Sequence, residues 1–195
     1  MNKIFLFFSL LFSLAAHALT PAELTAQLQS PAHLQGEFHQ TRHLPNLATP
    51  LASHGRFVLV PGKLLLWQME TPFALTLRVR ADGIAQQDAN GHWQTSRQSG
   101  QEMQVRLFMA LLGGDVAALE EQFALQLTGN ADAWQLRLVP QSALMQQIFA
   151  HITLSGDSVV REVVLEETRG DRTLLRFDPV DTQSPLPPLA LENLP

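Results

Sequence analysis

The spacing of apolar and polar side chains along this chain predicts a protein made mainly of β-strands. Between residues 33 and 95 the apolar positions recur at every second residue, and turn pairs such as Asp82-Gly83 and Asn90-Gly91 separate the runs. Similar runs follow between residues 123 and 177. About ten antiparallel strands in one chain indicate a mainly β (α+β) domain, in which helices lie against a single strongly curved sheet or barrel.

Residues 55–72 depart from this simple alternation. The second arm of this stretch, residues 64–69, is apolar on both alternating faces for most of its length. A strand normally has one face in water, so this arm needs an apolar partner for each face. The protein core can cover one face, which leaves the partner of the other face open.

The turn inside this stretch contains Pro61 and Gly62, and its length decides which side chains share a face. A loop of three residues, 61–63, would place four large apolar side chains on one face: Phe57, Leu59, Leu65 and Trp67. A turn of two residues would instead put Leu65 and Trp67 on the face opposite to Leu59, because strand side chains alternate.

Two segments have helical periodicity. Thr20, Pro21 and Glu23 form the start of a helix with an N-cap, a proline in the first turn and a capping box. From residue 101 onward an apolar stripe recurs at helical spacing and ends at Gly113-Gly114. The simplest interpretation of this stripe is core packing. Its members are Met103, Leu107, Phe108, Leu111 and Leu112.

The first 18 residues have the composition of a secretory signal peptide. Lys3 precedes a short apolar run, and Ala16-His17-Ala18 is a small-residue cleavage site. A membrane anchor is the alternative, but about 13 apolar residues are too few to span a bilayer. We therefore predict cleavage after residue 18, one domain at residues 19–180, and an irregular proline-rich tail at residues 181–195.

Charge and cysteine content exclude several classes of function. Without Lys3, the remaining 12 basic and 18 acidic side chains give a net charge near −6. The chain has no basic patch, which argues against nucleic acid and against an anionic membrane surface as partners. It has no cysteine, so disulfides, thiol chemistry and cysteine-ligated zinc are excluded.

The sequence contains no recognisable catalytic or metal-binding motif. His39 and His43 share a strand face, but about 13 Å would separate them along an extended strand, too far for one ion. No G-x-S-x-G or H-E-x-x-H motif occurs. We expect no enzyme activity, no metal and no cofactor. A curved sheet that is apolar on its concave side can instead enclose a cavity for a lipid chain.

Several segments together resemble the periplasmic outer-membrane lipoprotein carrier (LolA) family, over most of the chain after the signal peptide. An N-terminal helix precedes a strand with an F-x-Q pattern, and a G…W-x-M-x-x-P segment follows. Two later segments also match in order and spacing. The matching residues are Phe38-His39-Gln40, Gly55, Trp67, Met69, Pro72, Trp134-Gln135-Leu136, Pro140, Gly170-Asp171-Arg172-Thr173 and Phe177.

The resemblance implies an incomplete antiparallel barrel with a helical lid over an apolar cavity. Such a monomeric periplasmic chaperone would take the acyl chains of a lipoprotein from an inner-membrane donor complex and pass them to an outer-membrane acceptor. The passenger's acyl chain would then be the second partner of residues 64–69. By position, the cavity would be lined by Phe38, Phe57, Leu59, Leu65, Trp67 and Met69. The lid would contain Met103, Leu107, Phe108 and Leu111.

One position departs from the family pattern. The family commonly has an arginine followed by a proline at the turn, and that arginine ties the lid to the barrel. Here Pro61 occupies the aligned position, so another arginine, Arg56 or Arg42, would have to replace it. The departure leaves two alternatives open: a LolA-like carrier of a non-protein lipid or polyene-like acyl product, or a structural periplasmic domain with a filled core.

Overall fold

The computed structural model describes residues 19–95, 107 and 109–195. Four helices and eleven strands have defined bounds within these residues, and residues 109–113 are also helical. The helices are α1 (Pro21–Leu28), α2 (Val116–Glu120), α3 (Ala143–Ile148) and α4 (Pro188–Asn193). The strands are β1 (Leu34–His43), β2 (Leu51–Val60), β3 (Leu64–Thr71), β4 (Leu75–Arg80), β5 (Gly83–Gln87), β6 (Trp93–Thr95), β7 (Phe123–Asn130), β8 (Ala133–Pro140), β9 (Phe149–Gly156), β10 (Val160–Glu167) and β11 (Arg172–Asp181).

All strands belong to one antiparallel sheet whose order is β6-β5-β4-β3-β2-β1-β11-β10-β9-β8-β7. The first six strands run from the middle of the sheet to one edge. The chain then crosses to the opposite edge at β7 and returns to the middle, where β11 pairs with β1. The two edges, β6 and β7, are not paired with each other within the described residues. The predicted incomplete barrel is therefore confirmed.

The loop between β2 and β3 contains three residues, as the shared-face prediction requires. Val60 pairs with Leu64, Leu59 with Leu65 and Phe57 with Trp67. Gly62 has a φ of +69°, which a residue without Cβ adopts at little cost. The Lys63 N–H donates to the Val60 carbonyl over 3.0 Å and closes the turn.

One face of the sheet, called here the inner face, shares its apolar core with the helical segments before β1 and between β6 and β7. Phe38, Leu59 and Leu65 are at most 1% exposed on this face. Burial of such side chains supplies most of the stability of a cysteine-free chain. The helical members of this core are Leu24, Leu28, Ala110, Leu111, Leu112, Val116 and Leu119.

Helix α1 is held at a defined position across the inner face. The capping box forms as predicted, since the Glu23 N–H donates to the Thr20 hydroxyl and the Thr20 N–H donates to the Glu23 carboxylate. Further along, the Gln27 side-chain amide donates to the Ala131 carbonyl over 2.9 Å and to the Asp157 carbonyl over 2.5 Å. One side chain thereby ties the helix to two hairpin turns.

The expectation of an irregular C-terminal tail is wrong, because residues 188–193 form α4. Pro188 begins this helix, a position where the missing N–H of proline costs nothing. The helix packs against the outer face of β2 and β3, and Ala190 is fully buried there. The sheet side chains that it covers are Val58, Val60, Leu64 and Leu66.

Helix α4 also corrects the interpretation of residues 64–69. The second partner of this doubly apolar arm is the chain's own C-terminal segment and not a passenger's acyl chain. A polar contact secures it: an Arg78 N–H donates to the Asn193 side-chain oxygen over 2.9 Å, and the Asn193 amide donates to the Leu189 carbonyl over 2.8 Å. The Arg78 guanidinium also lies 4.7 Å from the centre of the Trp93 ring.

Candidate functional site

The structure brings together the six side chains predicted to line the cavity. Phe38, Phe57, Leu59, Leu65 and Trp67 are all buried in the core of the inner face, and Met69 packs against its edge. They lie on three adjacent strands because β1 pairs with β2 and β2 pairs with β3. The register of these strands thus builds one continuous apolar surface.

Aromatic rings form the centre of this surface. The rings of Phe38 and Trp67 are stacked with centroids 3.7 Å apart. Phe177 on β11 meets Phe57 edge-on at 5.2 Å and Trp67 at 6.3 Å. The sequence reasoning assigned Phe177 only to the end of a strand. Its inward position follows from the pairing of Phe38 with Phe177, which no local pattern contains.

Two of the four predicted lid residues can be located. Leu111 is 3% exposed, and Leu107 packs against the same core as Phe38 and Trp67. The predictions for Met103 and Phe108 lie outside the described residues. The described residues of the helical connection therefore pack on the core of the inner face.

A separate pocket of about 640 Å³ lies beside this core. It opens between the β2–β3 loop, the β4–β5 turn, the C-terminal end of α1 and residues 109–118. Pro61, Arg80, Asp82, Met109 and Gly113 are among the residues that line it. None of the six predicted cavity residues is among its described lining. In this conformation those six side chains pack against one another.

Arg80 and Asp82 form an ion pair in the lining of this pocket, which also includes Asp115. The Arg80 guanidinium donates from Nε to Oδ1 of Asp82 over 3.1 Å and from Nη2 to Oδ2 over 2.5 Å. These hydrogen bonds hold the pKa of the Asp82 carboxyl below its usual range. Sequence reasoning missed Arg80, whose only signal was its place at the end of a strand just before a turn.

The two arginines considered as replacements for the family arginine lie elsewhere. Arg56 is on the outer face, where its Nε is 3.3 Å from the Glu70 carboxylate. Arg42 lies at the opposite end of the sheet from Pro61, with its Nη2 2.7 Å from Asp171 and 3.5 Å from Glu167. Neither is placed to tie residues 109–113 to the β2–β3 loop. Among the described arginines, Arg80 lines the same pocket as both segments.

The polar side chains of the described residues form no recognisable reaction centre. His39 and His43 are exposed, and the ring of His39 faces that of His54 at 6.1 Å on the outer face. No three His, Asp or Glu side chains in residues 19–95, 107 and 109–195 are grouped so that they could hold a metal ion. The main structural feature of the inner face is its continuous apolar surface.

The sequence matches the model of a protein family, and this match agrees with the arrangement of sheet, helices and core. Residues 14–179 match the model of a family described as outer membrane lipoprotein carrier protein LolA-like. The chain belongs to this LolA-like family. Membership indicates a periplasmic domain that binds lipid or lipoprotein, and the family as a whole is generally not enzymatic.

Similar solved structures extend the comparison to the fold. A LolA superfamily protein from Nitrosomonas europaea has a TM-score of 0.49 at 10% identity, over 87% of this chain and 96% of that one. A chain of the Pseudomonas aeruginosa MucA/MucB complex has a TM-score of 0.51 at 12% identity, over 88% of this chain and 60% of that one. A DUF1329 family protein from Desulfovibrio piger has a TM-score of 0.51 at 9% identity, over 86% and 92%.

The similarities to the MucA/MucB chain and to the Desulfovibrio piger protein concern the fold alone, because the identities are low. This LolA-like chain spans only 60% of the MucA/MucB chain that it matches. No curated protein matches the chain. Within the part of the chain that the structure describes, no helix has the length and apolar character needed to cross a bilayer.

Proposed function

We propose that this LolA-like protein is a periplasmic carrier that shelters the acyl chains of a lipoprotein, or of a related lipid, on the inner face of its sheet. The observation that supports this proposal most directly is the continuous apolar surface of β1, β2 and β3 under a helical connection. Each methylene of an acyl chain buried there would contribute about 0.8 kcal/mol, which offsets the exposure of the helical side chains that the acyl chain displaces.

The topology makes such an exchange feasible. Residues 109–113 and α2 belong to the connection between β6 and β7, the two edges of the sheet that are unpaired within the described part of the chain. Displacement of these helical residues would break apolar contacts such as those of Leu111 but none of the strand pairings. Opening would therefore leave the sheet intact, and no covalent chemistry or cofactor is needed for loading or release.

The cellular setting is part of the same proposal. Residues 1–18 act as a cleaved signal peptide, and the domain at residues 19–180 works as a monomer in the periplasm. It receives its passenger from an inner-membrane donor complex and delivers it to an outer-membrane acceptor. The six inner-face residues named above contact the acyl chain, and the stripe that includes Met103, Leu107, Phe108 and Leu111 covers it.

A carrier of a non-protein lipid or polyene-like product is the second candidate, and Pro61 favours it. A proline side chain has no donor, so the β2–β3 loop lacks the lid contact that the family commonly uses. A structural domain with a filled core is the third candidate. Its support is the close packing of Phe38 on Trp67, which leaves no cavity between these rings.

A matched pair of substitutions on β3 tests the carrier function. Leu65 and Leu66 are adjacent and both fully buried, but Leu65 lies on the inner face and Leu66 on the outer face. Leu65→Ala and Leu66→Ala remove the same atoms from the two faces. The carrier function predicts that only Leu65→Ala changes the affinity for a fluorescent fatty acid.

Native mass spectrometry of the protein purified from a periplasm completes this test. A retained lipid supports the carrier, and its mass distinguishes a lipoprotein from a non-protein lipid. If no lipid is retained and the wild-type protein also fails to bind fluorescent fatty acids, the carrier function is wrong and the filled-core domain stands.

A further inference from the structure

The two ends of the sheet differ in the kind of residue they expose. One end holds the β2–β3 loop, the β4–β5 turn and the turns that Gln27 contacts, which are short and polar or formed by Pro and Gly. The other end holds the β1–β2, β3–β4 and β8–β9 connections. Five of the six large apolar side chains that are exposed among the described residues lie at this second end, called here the apolar end. They are Leu47, Leu51, Phe73, Leu144 and Ile148.

Contacts between the loops make the apolar end a continuous rim. The Thr168 hydroxyl donates to the Gln147 carbonyl over 2.8 Å, and the Thr168 N–H donates to the Ile148 carbonyl over 3.0 Å. These bonds join the β10–β11 turn to the end of α3. The same turn borders the β1–β2 loop, because Gly170 lies against Pro45.

Phe73 is the most exposed of these side chains, at 77%. It occupies the short β3–β4 connection, which begins just after Thr71, opposite His54 of β2. The register therefore places it at the same end of the sheet as Leu51. An aromatic side chain exposed at a loop tip gains more from burial than any other group on this rim.

The charged groups around the β10–β11 turn of the apolar end balance one another, because three arginines lie among three carboxylates and only the exposed Arg169 is outside the ion pairs described next. Arg42 is bound to Asp171 and Glu167, and Nε of Arg172 is 2.7 Å from the Glu166 carboxylate. This compensation leaves little net charge to attract either an anionic membrane or a strongly charged protein partner. The balanced charges are compatible with an electrically neutral partner surface, which can bind apolar side chains without long-range electrostatic attraction.

The arrangement of the apolar side chains favours a lipid bilayer over a folded protein as the partner. They lie in the β1–β2 and β3–β4 connections, on α3 and at the first residue of β2, and none of them is among the described lining of the 640 Å³ pocket. A folded protein needs a complementary patch of about 800 Å² on each partner. A bilayer surface adapts to single side chains that enter the boundary between headgroups and acyl chains. We infer that the apolar end is a membrane-contacting surface that inserts Phe73 and its neighbours into a zwitterionic lipid interface.

Binding to lipid vesicles tests this inference directly. The purified full chain is mixed with phosphatidylcholine vesicles without cargo, and the bound fraction is measured by flotation at low and high salt. We expect binding that changes little with salt and that falls about tenfold in Phe73→Ser, because a large aromatic burial is lost. Leu191→Ser is the matched control, since Leu191 is 57% exposed on α4 and away from the rim.

A second measurement uses the absence of cysteine in the chain. Phe73→Cys and Leu191→Cys each introduce a single site for a polarity-sensitive dye. The inference predicts a blue shift on vesicle addition only for the dye at position 73. Both sites are exposed, so the variants should keep the far-ultraviolet spectrum of the wild type.

Four results would overturn the inference: no wild-type binding to vesicles, equal losses in Phe73→Ser and Leu191→Ser, equal dye shifts at the two sites, or binding that needs anionic lipid and disappears in salt. Loss of a protein partner in Phe73→Ser, without vesicle binding by the wild type, would identify the rim as a protein interface instead. Because these tests contain no cargo, their failure is distinct from a failure of the proposed carrier function, which the Leu65→Ala and Leu66→Ala pair measures.

Discussion

The two faces of β3 are equally buried but are covered by different segments of the chain. Leu65 on the inner face and Leu64 and Leu66 on the outer face are all fully buried. The inner face meets side chains from β1, β11 and the helical connection, whereas the outer face meets the C-terminal helix with its flanking residues and Trp93 of β6. A strand that is apolar on both faces therefore does not by itself indicate a ligand, because a late segment of the same chain can be the second partner.

The largest expected effect on stability comes from a substitution on the inner face. Trp67→Ala should lower the free energy of unfolding by about 3 kcal/mol, since Trp67 is 8% exposed and stacked on Phe38. Urea denaturation followed by circular dichroism measures the change. Trp93→Ala is the control, because Trp93 lies on the edge strand β6 and is only half-buried. A decrease in the free energy of unfolding below about 1 kcal/mol for Trp67→Ala would show that the inner face is loosely packed.

The next largest effect on stability is expected from removal of α4, which covers the outer face. A chain that ends at Pro185 lacks α4 and exposes four apolar side chains of β2 and β3. We expect a folded sheet that is less stable by about 2 kcal/mol and binds more of a hydrophobic dye. Fatty-acid binding at the inner face should not change. If the truncated chain unfolds completely, the outer face contributes as much as the inner one and the contrast between them is wrong.

A smaller change tests the polar contact of α4. Asn193→Ala removes the acceptor of the Arg78 N–H and should cost about 1 kcal/mol. Burial lowers the pKa of the Arg78 guanidinium, so this group benefits from a partner. Glu192→Ala changes an exposed neighbour on the same helix and should have almost no effect. Equal changes in the two variants would mean that helix propensity and not the hydrogen bond is responsible.

The smallest expected effect concerns the turn that positions α1 over the inner face. Burial alone would raise the pKa of the Asp157 carboxyl, but hydrogen bonds from Arg161 and the Val159 N–H outweigh it, and the net shift is downward. A lowered pKa in the folded state stabilises the fold above the unfolded pKa of about 4, and this stabilisation is lost as the pH falls through the lower folded value.

Asp157→Asn should therefore reduce stability at pH 7 by less than about 1 kcal/mol, because the ion pair is partly exposed. The difference from wild type should shrink as the pH falls below about 4. Urea midpoints measured between pH 3 and pH 7 provide the comparison, with Asp132→Asn in the neighbouring β7–β8 turn as the control. A difference that grows on acidification would contradict the sign of the pKa shift.

Local patterns predicted those parts of the fold that depend on residues close together in the sequence. Alternation located the strands, Thr20 and Glu23 located the start of α1, and Pro61-Gly62 located the turn between β2 and β3 but left its length open between two and three residues. Each of these depends on backbone sterics or on hydrogen bonds within a few residues. The observed loop of three residues places Phe57, Leu59, Leu65 and Trp67 on one face, which is the arrangement that the family resemblance implied.

The features that local patterns missed depend on contacts between distant segments. The prolines of the tail predict an irregular segment, yet the apolar outer face of β2 and β3 provides the surface on which α4 forms. Phe177 reaches the aromatic centre because β11 pairs with β1, and Arg80 lines the pocket because β4 ends beside residues 109–113.

The alternation of apolar and polar residues thus specifies a curved antiparallel sheet with one apolar face, because each strand's side chains must alternate across it. Which segment covers each face, and which apolar loops gather at one end, follows only from the order in which the strands pair. That order arises from the burial of surfaces far apart in the chain, a property of the folded molecule as a whole.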